Sequence, residues 1–222
     1  MHIIYLHGFA SSAQSTKANL FRPQFEERGF GYSVPDLNVP DFQHLTLTAM
    51  LERVAETVRS IAQEPIYLVG SSMGGLTALH FYDRYRDAEA SRIQKMILLA
   101  PAFDFMDIRG QQMGADWEDQ WRDAGSMPFF NYATGGEVPV HYGLVADIKQ
   151  YDSYAVQVDI PTLIYHGKKD QSVPYDQSTR FAEGRQHVTL HLLDSDHQLL
   201  DQTEEIFKGI LAFITEDRTP MD

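Results

Sequence analysis

The chain has 222 residues, 43% hydrophobic and 22% charged, the balance of an ordinary globular protein with length for one sizeable core. Its formal net charge of −13 repels phosphate backbones and anionic headgroups, so nucleic acid and membrane surfaces are poor partners. With no cysteine, disulfide frameworks, cysteine–zinc sites and thiol nucleophiles are excluded.

The first residues, Met1 to Gly8, show neither a basic leader nor a long apolar run. No stretch approaches the ~20 apolar residues of a membrane span. A cytoplasmic protein with no membrane span, monomer or homodimer, is the expectation.

Short apolar runs then alternate with helical stretches. Ile3–Leu6 and Gly31–Val34 are the first two strand candidates, ended by His7-Gly8 and Pro35-Asp36. Thr46–Ala62 carries Leu47, Met50, Leu51, Val54, Val58 and Ile61 at helical spacing. Ile66–Val69 is a third strand, followed by a helix over Gly74–Tyr85; Met96–Leu99, Thr162–Tyr165 and Val188–Leu193 are the next three strands. Ile206–Ile214 forms a closing helix, and the polar tail from Asp217 to Asp222 reads as disordered. This alternation predicts an α/β fold: a mainly parallel sheet of about six or more strands with helices on both faces. Ligands of such sheets bind at the carboxyl ends of the strands.

Residues 103–154 break the rhythm. The segment shows no clear strand and holds both tryptophans, Trp117 and Trp121, at i and i+4 of a short helix over Asp116–Ala124. A structureless loop of that length is rare. The prediction is one domain over residues 1–222 with a small helical cap inserted at about 103–154.

Gly70-Ser71-Ser72-Met73-Gly74 matches G-x-S-x-G between a buried strand and a helix. A serine on so sharp a turn exposes its Oγ, with the next N–H and the helix N-terminus aimed at developing negative charge. A chance match and the adjacent Ser71 are the competing readings. The second oxyanion donor belongs on the loop after the first strand, where Gly8 permits a tight turn; the N–H groups of Phe9 and Met73 are the candidates. His7 reads as a brace for that loop.

Asp170 follows the fifth strand in His166-Gly167-Lys168-Lys169-Asp170, with a turn-forming aspartate before Val173-Pro174 as the alternative and His166 read as structural. Of nine histidines, His197 alone stands just after the last strand, in Asp194-Ser195-Asp196-His197-Gln198. Ser72, Asp170 and His197 then run in the order of a nucleophile–acid–base triad on this fold.

Together, His7-Gly8, the GSSMGG run, the HGxxDxxVP run and the DxDH run resemble the α/β-hydrolase superfamily over nearly the whole chain. More narrowly, Tyr5 to Ser12 with Lys17-Ala18 resembles small bacterial esterases of the YqiA type. The later part, including Gly125-Ser126-Met127-Pro128, resembles the mycophenolic acyl-glucuronide esterase and depalmitoylating hydrolase family. The run of glycines after the first histidine that many relatives carry is missing here, so two main oxyanion donors are expected.

The expected activity is that of a serine esterase or thioesterase on a small acyl ester or thioester, with no cofactor and no metal. A triad-bearing binding protein with slow turnover, or C–C hydrolase or perhydrolase chemistry on the same triad, are the alternatives. Gly8, Trp117, Trp121, Met127 and Phe129 are expected to contact the substrate. Because only Arg109, Arg122 and Lys149 are basic in the cap, an apolar rather than a highly charged group is expected there.

Overall fold

The computed structural model describes residues 1–132 and 134–216. The tail expected to be disordered, 217–222, lies outside them.

Six strands, β1 (His2–Leu6), β2 (Gly31–Ser33), β3 (Ile66–Ser71), β4 (Ile93–Leu99), β7 (Thr162–Gly167) and β8 (Val188–Leu193), form one sheet. Their order is β2-β1-β3-β4-β7-β8, and every neighbouring pair is parallel. The fold is that of the α/β hydrolases. Parallel pairing requires crossovers, and the crossovers cover both faces. The strands divide their side chains accordingly. Ile4, Leu6, Leu68, Met96, Leu98 and Ile164 belong to one apolar cluster, with helices α2 (Leu47–Ser60) and α3 (Met73–Arg84). The alternate residues Ile3, Tyr5, Tyr67, Val69, Ile97 and Leu163 belong to the other, with α1 (Thr16–Glu26) and α8 (Thr203–Thr215). This two-sided burial is why the central strands are apolar at nearly every position.

Helix α1 has no counterpart in the periodicity reading. Ser15 caps it, its side chain accepting from the Ala18 N–H at 3.3 Å, and Ala18, Phe21 and Phe25 form its buried face. Pro23 inside the helix masks that signal, because proline normally ends one. Helix α7 (Asp176–Ala182) was equally unforeseen; it is too short for periodicity to reveal.

Between β4 and β7 the expected helical cap is a mixed structure. It contains α4 (Phe105–Met113), α5 (Trp117–Ala124) and α6 (Gly143–Ile148), but also an antiparallel hairpin of β5 (Ser126–Asn131) and β6 (Gly136–His141). Pro128 stands directly opposite Pro139 in that hairpin. An isolated two-stranded ribbon tolerates prolines that a central strand would not, and their presence argues against a strand when the sequence is read alone.

No helix among the described residues is long and apolar enough to cross a membrane.

Candidate active site

The site grows from the end of β3. All six β3 residues are buried, and the chain then turns at Ser72 with φ 55° and ψ −118°. A positive φ at a non-glycine residue costs on the order of 1–3 kcal/mol and persists only where the surroundings hold it. Here they do. The Ser72 N–H donates to the Leu99 carbonyl at 2.9 Å, and the Ser72 carbonyl accepts from Gly75, Leu76 and Ala102 N–H groups at 2.9, 3.2 and 3.2 Å. A Cβ at Gly70 would strike the Gly74 carbonyl, and one at Gly74 would strike the Leu6 carbonyl, so neither glycine accepts a side chain.

His197 arrives from the loop after β8. Its Nε2 lies 3.1 Å from Ser72 Oγ and its Nδ1 2.7 Å from Asp170 Oδ2. Asp170 comes from the loop after β7 and is 9% exposed. Its Oδ1 accepts from the Ser172 and Val173 N–H groups at 2.8 Å each. Burial alone would raise this carboxyl; hydrogen bonds from His166, His197 and the Val173 backbone outweigh it and hold the group well below the usual carboxylate range. The competing carboxylates are engaged elsewhere. Asp194 pairs with Lys169 on the surface at 2.8 Å, and Asp196 Oδ1 accepts from Gln198 N–H at 2.8 Å, shaping the turn that presents His197.

The loop after β1 closes the other side of Ser72. A Cβ on Gly8 would lie 3.2 Å from Ser72 Cβ, so this loop approaches the serine as only glycine allows. His7 braces it: Nε2 accepts from the Leu37 N–H at 3.0 Å, which leaves Nδ1 to donate to the Gly8 carbonyl at 3.0 Å. Beneath His197, the buried Lys17 of α1 donates from Nζ to the Gln198 carbonyl at 3.0 Å. Burial pulls Lys17 down to about 8, against the opposing pull of Asp170 and Asp196.

A cleft of about 1160 Å³ opens onto this group. Ser72, His197, Gly8, Phe9, Met73 and Phe129 line it. Trp117, Trp121 and Met127, expected to contact the substrate, do not. Trp121 is fully buried, its indole N–H donating to the Val140 carbonyl at 2.8 Å and its ring 5.0 Å from that of Phe129. Trp117 is 5% exposed beside it, and Met127 packs against the same core. The tryptophans therefore hold the hairpin that carries Phe129 and act on the cleft only through it. Phe105 and Arg109 of α4 line the cleft instead. Arg122 and Lys149 turn away, paired with Asp119 and Glu118 at 2.7 and 2.6 Å. Among the described residues, no three of His, Cys, Asp and Glu are placed to share a metal ion.

The sequence reading missed the functional bearing of His166, Lys17 and Arg109. His166 stands four residues before Asp170, Lys17 enters the sequence reading only through a resemblance, and Arg109 only as one of three cap cations.

The family model of UPF0227, an uncharacterised protein family, matches residues 2–215. The chain belongs to UPF0227. This UPF0227 member is 25% identical over 217 residues to the human mitochondrial palmitoyl-protein thioesterase ABHD10, covering 91% of this chain and 68% of the relative. It is 23% identical to the AB hydrolase superfamily protein YisY of Bacillus subtilis, covering 95% of this chain and 90% of YisY. Among solved structures it resembles Est1E of Butyrivibrio proteoclasticus with ferulic acid bound. The TM-score is 0.82 at 20% identity, over 97% of this chain and 88% of Est1E. The UPF0227 chain thus shares the α/β-hydrolase fold along nearly its full described length.

Proposed function

We propose that this protein is a serine hydrolase that cleaves a carboxylic ester or thioester through an acyl intermediate on Ser72. The observation that carries the reading is the pair of contacts through His197, 3.1 Å to Ser72 Oγ and 2.7 Å to Asp170 Oδ2. Its likeness to a palmitoyl-protein thioesterase, and in fold to Est1E holding ferulic acid, supports a hydrolase reading.

In this mechanism Ser72 Oγ attacks the acyl carbon while its proton passes to His197 Nε2. Asp170, kept ionised by its hydrogen bonds, holds His197 Nδ1 protonated and stabilises the imidazolium. The carbonyl oxygen, gaining negative charge, meets the N–H groups of Phe9 and Met73. No acceptor for either N–H stands among the described residues. The C–O or C–S bond breaks as His197 returns the proton to the leaving group. Water then attacks the acyl carbon by the same route and releases the acid. The aromatic rings of Phe9, Phe105 and Phe129 give the acyl or alcohol portion an apolar surface.

Fluorophosphonate labelling with mapping of the modified residue tests the reading. Labelling at Ser72 that disappears in a folded Ser72→Ala variant is expected. Labelling retained at Ser71, or none in the wild type together with no ester turnover, would overturn it.

A further inference from the structure

Arg109 lines the same cleft as Ser72 and has no counterion among the described residues. Its guanidinium carbon lies 5.5, 4.9 and 5.1 Å from the ring centres of Phe9, Phe105 and Phe129. Nη1 donates to Gln112 Oε1 at 2.9 Å, Nε is buried with no partner, and Nη2 makes no hydrogen bond among the described residues. The other two cap cations, Arg122 and Lys149, each hold a carboxylate.

The cleft itself inverts the character of the chain. The sequence has 31 acidic residues against 18 Lys and Arg, yet among the described residues no Asp or Glu lines this cleft, whereas Arg109 and Lys17 do. Lys17 already donates to the Gln198 carbonyl and feels the charges of Asp170 and Asp196, whereas burial alone, with no acid opposing it, acts on Arg109.

On the serine-hydrolase reading above, we propose that the substrate carries a carboxylate that docks on Arg109, so that the enzyme acts on anionic esters or thioesters. A guanidinium among aromatic rings is partly compensated by their faces but still pays for lost hydration. Burial pulls Arg109 down to about 10, the mark of a charge with nothing opposite it. For packing alone, an apolar side chain of similar volume would serve as well without that cost. A carboxylate supplies the missing charge and matches the fork of donors. The Phe9 ring lies between the two functions: its own backbone N–H faces the reacting carbonyl, and its face meets Arg109. The anion therefore sits one aromatic ring away from the bond that is cut.

The test compares matched pairs of esters with the wild-type protein. For an anion on the acyl side, the pair is 4-nitrophenyl hydrogen adipate and its neutral methyl ester. For an anion on the alcohol side, it is the butyrate esters of 3-hydroxybenzoate and of methyl 3-hydroxybenzoate. In at least one pair the anionic member should show a kcat/KM at least tenfold higher, although the net charge of −13 repels it. That ratio should collapse in Arg109→Gln, survive in part in Arg109→Lys, and shrink in the wild type between 20 and 500 mM NaCl by charge screening. If Arg109→Gln does not fold, the wild-type ratio and its salt dependence decide. A ratio of one or less in both pairs, with Ser72 still labelled by fluorophosphonate, overturns the carboxylate proposal alone. So does a ratio that Arg109→Gln leaves intact. Four inert esters and an unlabelled Ser72 would bring down the hydrolase reading together with it.

Discussion

Nε2 of His166 lies 3.1 Å from Oδ2 of Asp170, the same oxygen that meets His197 Nδ1 at 2.7 Å. The same Nε2 stands 3.0 Å from the Val173 carbonyl, which only accepts, so Nε2 carries the proton. Nδ1 then accepts from Ser178 Oγ at 2.7 Å. His166 is thus a second fixed donor to the Asp170 oxygen that meets His197, and it positions that carboxylate.

His166→Ala removes one charge-assisted hydrogen bond to Asp170, worth about 1–2 kcal/mol, which corresponds to roughly a five- to thirtyfold loss of rate. The loss should fall on kcat with KM little changed, and Ser72 should still label, more slowly. Steady-state kinetics on 4-nitrophenyl butyrate with a parallel thermal melt measure it. A loss confined to KM would deny His166 this positioning role.

Asp170→Asn should reduce turnover by up to roughly 10⁴, because it destroys the acceptor that fixes the His197 tautomer. Combined with His197→Ala it should cost little more than the larger single loss, as members of one unit do. Asp194→Asn, which breaks only the surface pair with Lys169, should stay close to wild type. Near wild-type activity in Asp170→Asn would assign the acid elsewhere.

Stability should fall on acidification below pH 6.5. His80 is 3% exposed, and burial pulls it down to about 4 despite Asp152. Ser153 Oγ donates to the Phe103 carbonyl at 2.7 Å, so it must accept from His80 Nε2 at 3.1 Å, which fixes the neutral tautomer. Between pH 6.5 and 4 the unfolded chain binds a proton that the folded one refuses. The contribution of His80 is therefore full above pH 6.5 and is lost towards pH 4, by up to about 3 kcal/mol. Asp170, also held low, adds a loss of the same sign at still lower pH. Tm measured across pH 7 to 4 should show a shallower fall in His80→Gln; an unchanged slope would remove His80 from the account.

The cap should separate specificity from stability. Phe129 lines the cleft, whereas Trp121 holds the hairpin from behind. With 4-nitrophenyl esters, kcat/KM should rise severalfold from acetate towards butyrate or hexanoate, each methylene contributing at most about fourfold, and then fall as the cleft fills. Phe129→Ala should flatten that rise. Trp121→Ala should instead lower stability, by about 3–5 kcal/mol as for other buried large-to-small changes, visible as a drop in Tm. Equal chain-length profiles in wild type and Phe129→Ala would remove Phe129 from the acyl surface.

The sheet was legible in the chain because strands buried on both faces must be apolar throughout, and Ile66–Val69 or Met96–Leu99 can hardly be read otherwise. The order Ser72, Asp170, His197 was legible because each follows a strand at the same edge of a parallel sheet. The hairpin around Pro128 and Pro139 was not, since its strands borrow their stability from Trp121 and Phe9 rather than from local pattern. Nor did composition foretell the cleft: Trp117, Trp121 and Met127 are as apolar as Phe129, and only packing determines which of them faces Ser72. For Arg109 the difference is sharper still. Counted along the chain it is one of three cap cations; Arg122 and Lys149 meet carboxylates brought near by their own helix or the next, while α4 turns Arg109 among three aromatic rings with no carboxylate partner among the described residues. Sequence alone determined the strands and the placing of Ser72, Asp170 and His197 just after three of them, because both obey local periodicity and chain order. Tertiary structure alone decided what surrounds those residues, because the partner of a side chain in a cap is chosen by contacts between segments far apart in the chain.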